Sequence, residues 1–305
     1  MAGWGWKVRE EGGNVWIGRG CNPELSERTA SAPYYTVMEN EEEVGLAMYR
    51  ELEEYSRRKE GDLVVVLLGG RGAQAMYKHL SRLAATEEID ALLGRLHVIT
   101  QDGLAPMGLQ NGFGFVRDFE RLLGPHFFAK VKSFVPMNTE SDDLQAELTG
   151  YLARIELLGG IDIFFLGFGP EPHDASHLCY IKPGSGAQAG DLGGIIPISR
   201  SILEHHINKF KAGGCTASAE DEAQCRQCSS ILTLGPAAIL GARLVVQSIV
   251  DASSAPAKIP SFQRFLTTPL VPADSHLQCD QNPGLWARFH PHLKCFILAD
   301  LLLEE

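Results

Sequence analysis

The sequence predicts an α/β fold: a doubly wound, mostly parallel sheet with helices on both faces. Three observations predict it. Short continuous apolar, β-branched runs, with residues 63–68 (Leu-Val-Val-Val-Leu-Leu) the clearest, suit strands covered on both faces. Segments with a helical apolar period lie between them, and that alternation implies right-handed βαβ units. The chain has 305 residues, 45% hydrophobic and 21% charged, enough to bury a large core with an ordinary globular composition.

Residues 6–20 read as a hairpin, with Val8 and Val15-Trp16-Ile17 flanking a turn-rich stretch at 10–14. A polar, proline-containing link occupies 21–33, so 1–33 is taken as an N-terminal extension and 34–305 as the α/β domain. Helix 41–58 carries Val44, Met48, Leu52 and Tyr55 on one face. Asn40 is its expected N-cap, Glu41-Glu42-Glu43 complement its macrodipole, and Gly61 marks its end. The strand at 63–68 turns through Gly69-Gly70-Arg71-Gly72 into a helix at 73–85. Strands at 96–100, 131–135 and 161–166 then alternate with helices at 113–123 and 144–158. A strand at 195–199, a helix at 201–210 and a strand at 244–249 come after them. The polar, cysteine-containing stretch 212–230 reads as a surface insertion.

A net charge of −11 disfavours a nucleic-acid surface, which depends on clustered Lys and Arg. No apolar run reaches the roughly 18 residues of a membrane span, and the first residues lack the apolar core of a secretory signal. Seven cysteines, an odd count in a chain too large to need disulfides, point to a cytoplasmic or other reducing compartment. Cys225 and Cys228, with Cys215 and His205-His206, could form a Cys₃His metal set, but the spacing is not a standard one. A surface thiol pair is the expectation, with no metal and no cofactor.

Ligands of doubly wound sheets bind beyond the carboxyl ends of the strands, which selects three loops. Gly69, Gly70 and Gly72 can present backbone N–H groups to an anion, with Arg71 adding a guanidinium suited to phosphate. The alternative is an ordinary turn with a solvated arginine. Asp102 comes directly after a strand, where it could carry a proton or close a turn with its own backbone. In the loop 167–178, His173 stands two residues after Glu171, a pattern fitting a general base oriented by a carboxylate.

These loops, in this order, resemble the superfamily of 6-phosphogluconolactonase and glucosamine-6-phosphate isomerase (deaminase). Residues 67–77 look like its phosphate turn and 100–102 like the segment carrying its aspartate. Residues 159–173 look like its G-I-D-L-x-L-L-G-x-G-x-D-G-H signature. Residues 231–246 look like its A-I-T-V-G segment with the L-L-x-A-x-x-V stretch beyond it. The resemblance implies a small sugar-phosphate ligand, with Arg200 and Lys258 joining Arg71 around the phosphate. Departures are plain: Arg71-Gly72-Ala73 replaces Ser-Thr-Pro, Gly103 replaces an acidic residue, and Glu171 and Pro172 replace Asp and Gly. Leu178 stands where the deaminases carry a glutamate.

Three functions are open to such a chain. The resemblance implies a 6-phosphogluconolactonase-like hydrolase in which His173 activates water and Glu171 orients it. A second reading is deaminase or isomerase chemistry, with Asp102 moving a proton between carbons. A third is a catalytically degenerate relative serving as a binding or structural subunit. Association into a homo-oligomer or larger assembly stays open.

Overall fold

The computed structural model describes residues 5–19, 30 and 34–302. Apart from Ala30, the link at 21–33 lies outside the described residues.

The chain opens with β1 (Trp6–Glu11) and β2 (Asn14–Arg19), an antiparallel hairpin with the expected turn. After β3 (Thr36–Met38) comes α1 (Glu41–Arg58), whose N-cap Asn40 accepts the Glu43 N–H at 2.9 Å. Val44, Met48 and Leu52 bury its apolar face. Next are β4 (Leu63–Leu67), a single 3₁₀ turn at Arg71–Ala73, and α2 (Gln74–Ala84). The short helix α3 (Asp90–Leu93) leads to β5 (Leu96–Thr100), β6 (Asp102–Ala105) and α4 (Phe115–Lys130). The helix expected at 113–123 stops at Leu123 because Gly124, at φ 74°, breaks α4 before Pro125. That left-handed backbone favours glycine, and proline cannot continue the ladder.

β7 (Ser133–Val135), α5 (Leu144–Leu157) and β8 (Ile163–Leu166) keep the expected order. Beyond β8 the chain makes a short hairpin, β9 (Phe168–Glu171) and β10 (Ala175–Leu178), which the glycines, prolines and histidines of that stretch conceal. Then come β11 (Asp191–Pro197), α6 (Arg200–Ala212), α7 (Ala219–Cys225), β12 (Ser230–Leu234) and α8 (Pro236–Gly241). The stretch read as a surface insertion therefore holds a helix, with Ser218 forming a capping box with Asp221. Cys225 and Cys228 are buried, which corrects the surface thiol pair. Free cysteine packs as a small apolar side chain, and here both join the core. The chain closes with β13 (Leu244–Ile249), α9 (Lys258–Thr267), α10 (Ser275–Gln281) and β14 (Leu293–Leu298).

Seven strands form a sheet in the order β3-β14-β13-β8-β4-β5-β7, and every pairing in it is parallel. Its central strands are buried throughout: β4 and β8 are wholly apolar, and β13 is apolar apart from Gln247 and Ser248. A five-stranded antiparallel sheet, β1-β2-β11-β12-β6, packs beside it and takes in the N-terminal hairpin through β2 and β11. No helix among the described residues is long and apolar enough to cross a membrane.

The chain progresses from β4 outward through β5 to β7, then returns to lay β8 on the other side of β4. That reversal opens a crevice at the carboxyl ends of β4 and β8. At the opposite ends of these strands sits Asp162, fully buried. Its carboxylate accepts the Val64 N–H at 2.9 Å and Lys59 Nζ at 2.6 Å, with Tyr55 Oη at 3.1 Å and Arg243 Nη1 at 3.2 Å. Asp162→Ala should lower the unfolding free energy by about 3 kcal/mol, because it orphans a buried strand N–H and unpairs two cations. A urea midpoint unchanged from wild type would refute this.

Candidate functional site

Three strand ends converge on a cavity of about 610 Å³. The turn after β4 supplies Gly69, Gly70, Arg71 and Gly72, the end of β5 leads to Asp102, and β13 leads to Asp251. Helix α6 adds His205 and Lys209, α9 begins with Lys258, and the β9–β10 hairpin adds His177.

The hairpin decides which histidine faces this space. Pro172, His173 and Asp174 form its turn, with φ 60° at His173 and 57° at Asp174. His173 is exposed there and does not line the cavity. His177, four residues on, lies opposite Gly169 in the strand pairing. Strand alternation puts Gly169 and Glu171 on one face of β9, so His177 packs over Gly169 and meets Glu171 diagonally. The Nδ1 of His177 and Oε1 of Glu171 are 2.8 Å apart. A side chain at position 169 would occupy the imidazole's place, since a Cβ there falls 1.8 Å from Nε2. Tyr180 stacks on the other ring face, with centroids 4.2 Å apart. The histidine that meets Glu171 is thus His177 and not the His173 expected of this loop. The signal was present in sequence as a glycine and a histidine placed to oppose each other across a tight turn.

A cation cluster lies nearby. Asp251 links Arg71, at 3.4 Å, with Lys209, at 2.9 Å, and Arg71 also pairs with Glu41 at 2.9 Å. Burial would raise the Asp251 carboxyl, but hydrogen bonds from Ser254 and Lys209 and the charges of Lys258 and Lys209 hold it below its ordinary value. Lys258 is buried, donates from Nζ to the Val250 carbonyl at 2.7 Å, and is pulled down to about 8 by that burial. Arg71 and Lys258 therefore line the same cavity. Arg200, the first residue of α6, does not line the cavity, and Lys209 farther along the helix takes that place. The docking of α6 turns the face of His205 and Lys209 toward the strand ends, four residues apart and one above the other.

Asp102 lines the cavity from the start of β6 and is pushed up to about 8 by burial. The His206 ring, lowered to about 4 by burial, is held by a 2.7 Å contact from Nε2 to the Phe113 carbonyl. That contact occupies one ring nitrogen of the histidine considered for a metal set. Among the described residues no group of three or more His, Cys, Asp or Glu is placed to hold a metal ion.

The folded chain keeps the Asp102 proton up to about pH 8, whereas an unperturbed aspartate releases it near 3.8. Between those values the unfolded state binds fewer protons, so stability falls as pH rises. Asp102→Asn removes this contribution and should flatten the slope by up to about 1.4 kcal/mol per pH unit. Urea unfolding at a series of pH values measures it, and parallel wild-type and variant profiles would count against a buried, proton-holding Asp102.

No protein-family model matches the sequence. A glucosamine-6-phosphate deaminase from Parabacteroides distasonis is 35% identical over 60 residues, which is 20% of this chain and about a fifth (21%) of that relative. Among solved structures, a monomeric glucosamine-6-phosphate deaminase superposes with TM-score 0.69 at 17% identity, covering 88% of this chain and 99% of its own. The 6-phosphogluconolactonase of Trypanosoma brucei gives TM-score 0.64 at 15% identity, covering 90% and 98%. That of Thermotoga maritima gives 0.59 at 16%, covering 87% and 98%. At these identities the likeness is one of architecture, and this chain has the α/β fold of glucosamine-6-phosphate deaminases and 6-phosphogluconolactonases.

Proposed function

We propose that this protein is a divergent 6-phosphogluconolactonase-like hydrolase, opening the lactone of a sugar phosphate with His177 as its general base. The observation carrying this reading is His177, on the wall of a cavity that also holds Arg71, Lys209 and Lys258, with Glu171 Oε1 2.8 Å behind its Nδ1. Glu171 accepts Nδ1–H and fixes the tautomer, which leaves Nε2 to take a proton from water. The hydroxide adds to the lactone carbonyl, the ring C–O bond breaks, and the imidazolium returns the proton to the departing ring oxygen. Arg71, Lys209 and Lys258 hold the phosphate and fix the distance from it to the carbonyl.

Two observations favour hydrolysis over the isomerase reading. Moving a proton between carbons needs an ionised base, and Asp102 keeps its proton up to about pH 8. Leu178, standing where the deaminases carry a glutamate, is fully buried and cannot relay protons. A protonated Asp102 instead serves as a donor toward the carbonyl oxygen as negative charge develops there.

The test is phosphorus NMR of 6-phosphogluconolactone hydrolysis against the spontaneous rate. His177→Ala should lower the enzymatic rate by about 10²- to 10⁴-fold, the usual weight of a general base. His173→Ala should leave it within about twofold, because that ring is exposed at the hairpin turn and a surface change of this kind is usually small. Arg71→Ala should act on KM more than on kcat. A wild-type rate equal to the spontaneous one would overturn the hydrolase reading in favour of a binding or structural subunit.

A further inference from the structure

The cavity runs on past the dyad and the cation cluster, and α6 measures it. His205, Lys209 and Gly213 all line it, at four-residue steps of about 6 Å each. The His205 end lies by the dyad: burial lowers its imidazole first, and the charges of Lys209, His177 and Lys258 lower it further. The middle step is Lys209 with Asp251 and Arg71. At the far step, past the end of α6, stand Asp118 and Arg121 of α4, which also share a neighbouring groove with Cys215. Helix α2 also borders the cavity. Gln74 and Lys78 share one of its faces and both line the cavity, Lys78 roughly 10 Å of helical rise beyond Arg71.

Lys78 has no ion-pair or hydrogen-bond partner among the described residues. Arg121 pairs with Asp118 at 2.5 Å, but a guanidinium has five N–H donors and this contact uses one nitrogen. Burial raises the Asp118 carboxyl above its ordinary value against the pull of Arg121. The carbonyls at the end of α6 are also occupied: Gly213 N–H donates to Lys209 O at 2.8 Å and Gly214 N–H to Lys211 O at 3.2 Å. The far branch is therefore cationic, and it continues the line from dyad to phosphate cluster.

We propose that the cavity takes a sugar whose phosphate is extended by a second phosphate, with Lys78 and Arg121 binding that outer group. This narrows the substrate class of the same site and rests on the reading of Arg71, Lys209 and Lys258 as the inner phosphate cluster. A monophosphate held at the inner cluster leaves Lys78 unused, whereas a second phosphate extends the negative charge toward the Lys78 and Arg121 side chains that line the same cavity.

Calorimetric titration of the full chain with inorganic phosphate and inorganic pyrophosphate tests this without turnover. Pyrophosphate should bind about tenfold or more tightly than phosphate. In the double variant Lys78→Met/Arg121→Met that advantage should vanish while phosphate affinity stays unchanged, and Lys78→Met alone should remove part of it. Both residues are exposed. Because Arg121 pairs with the buried Asp118, unchanged phosphate affinity in Lys78→Met alone keeps the test independent of any loss of fold in the double variant. Equal affinities in the wild type, or a double variant that keeps the advantage, would overturn the outer subsite and leave the inner cluster standing. Binding of neither anion would overturn the phosphate reading itself.

Discussion

Everything near the cavity depends on β4, β8 and β13 lying in a fixed register, and Asp162 sets it. Besides its carboxylate contacts, its own N–H donates to Val64 O, while its carbonyl accepts from Leu244 N, both at 2.9 Å. One residue therefore ties three parallel strands at their amino ends. The carboxyl ends, where Arg71, Gly167 and Asp251 emerge, inherit that alignment because the strands between are rigid and buried. A charge so deeply buried is stable only when fully hydrogen-bonded, and here each of its oxygens has partners.

The site balances charge in a comparable way. Arg71, Lys209 and Lys258 would repel one another in a shared cavity, and Asp251 with Glu41 holds them together. Burial, reinforced by the neighbouring cations, keeps Lys258 and His205 less basic than in water. An anionic group entering the cavity would therefore exchange carboxylate partners for its own oxygens and leave the cations already placed, which is preorganisation in the electrostatic sense. Asp102 is the opposite case, a carboxyl without a compensating cation, and burial alone keeps it protonated.

The departures from the familiar motifs are consistent with one another in this geometry. With Pro172 in place of glycine, the motif histidine falls in a left-handed turn, and the imidazole that faces the cavity comes from the returning strand. With Arg71 in place of the hydroxyl residues, the turn after β4 offers a charge that reaches from a helix start to Asp251 and Glu41.

Much was legible in the chain itself. The apolar runs and helical periods determined the order of α1, β4, α2, β5, α5, β8, α6 and β13, because burial on two faces or on one leaves different periods. Strand ends and glycine turns then selected the loops that border the cavity, and with them Arg71 and Asp102. What the sequence could not decide was direction. His173 and His177 are four residues apart, and the side that faces the cavity depends on where the β9–β10 hairpin turns, a choice made by packing over Gly169. Arg200 and Lys209 share a helix, and only its docking angle picks the lysine. Cys225 and Cys228 look polar in a polar stretch, and only the closure of α7 over the core buries them. Local pattern specifies which elements form, whereas the facing of a side chain depends on contacts between residues far apart in the chain.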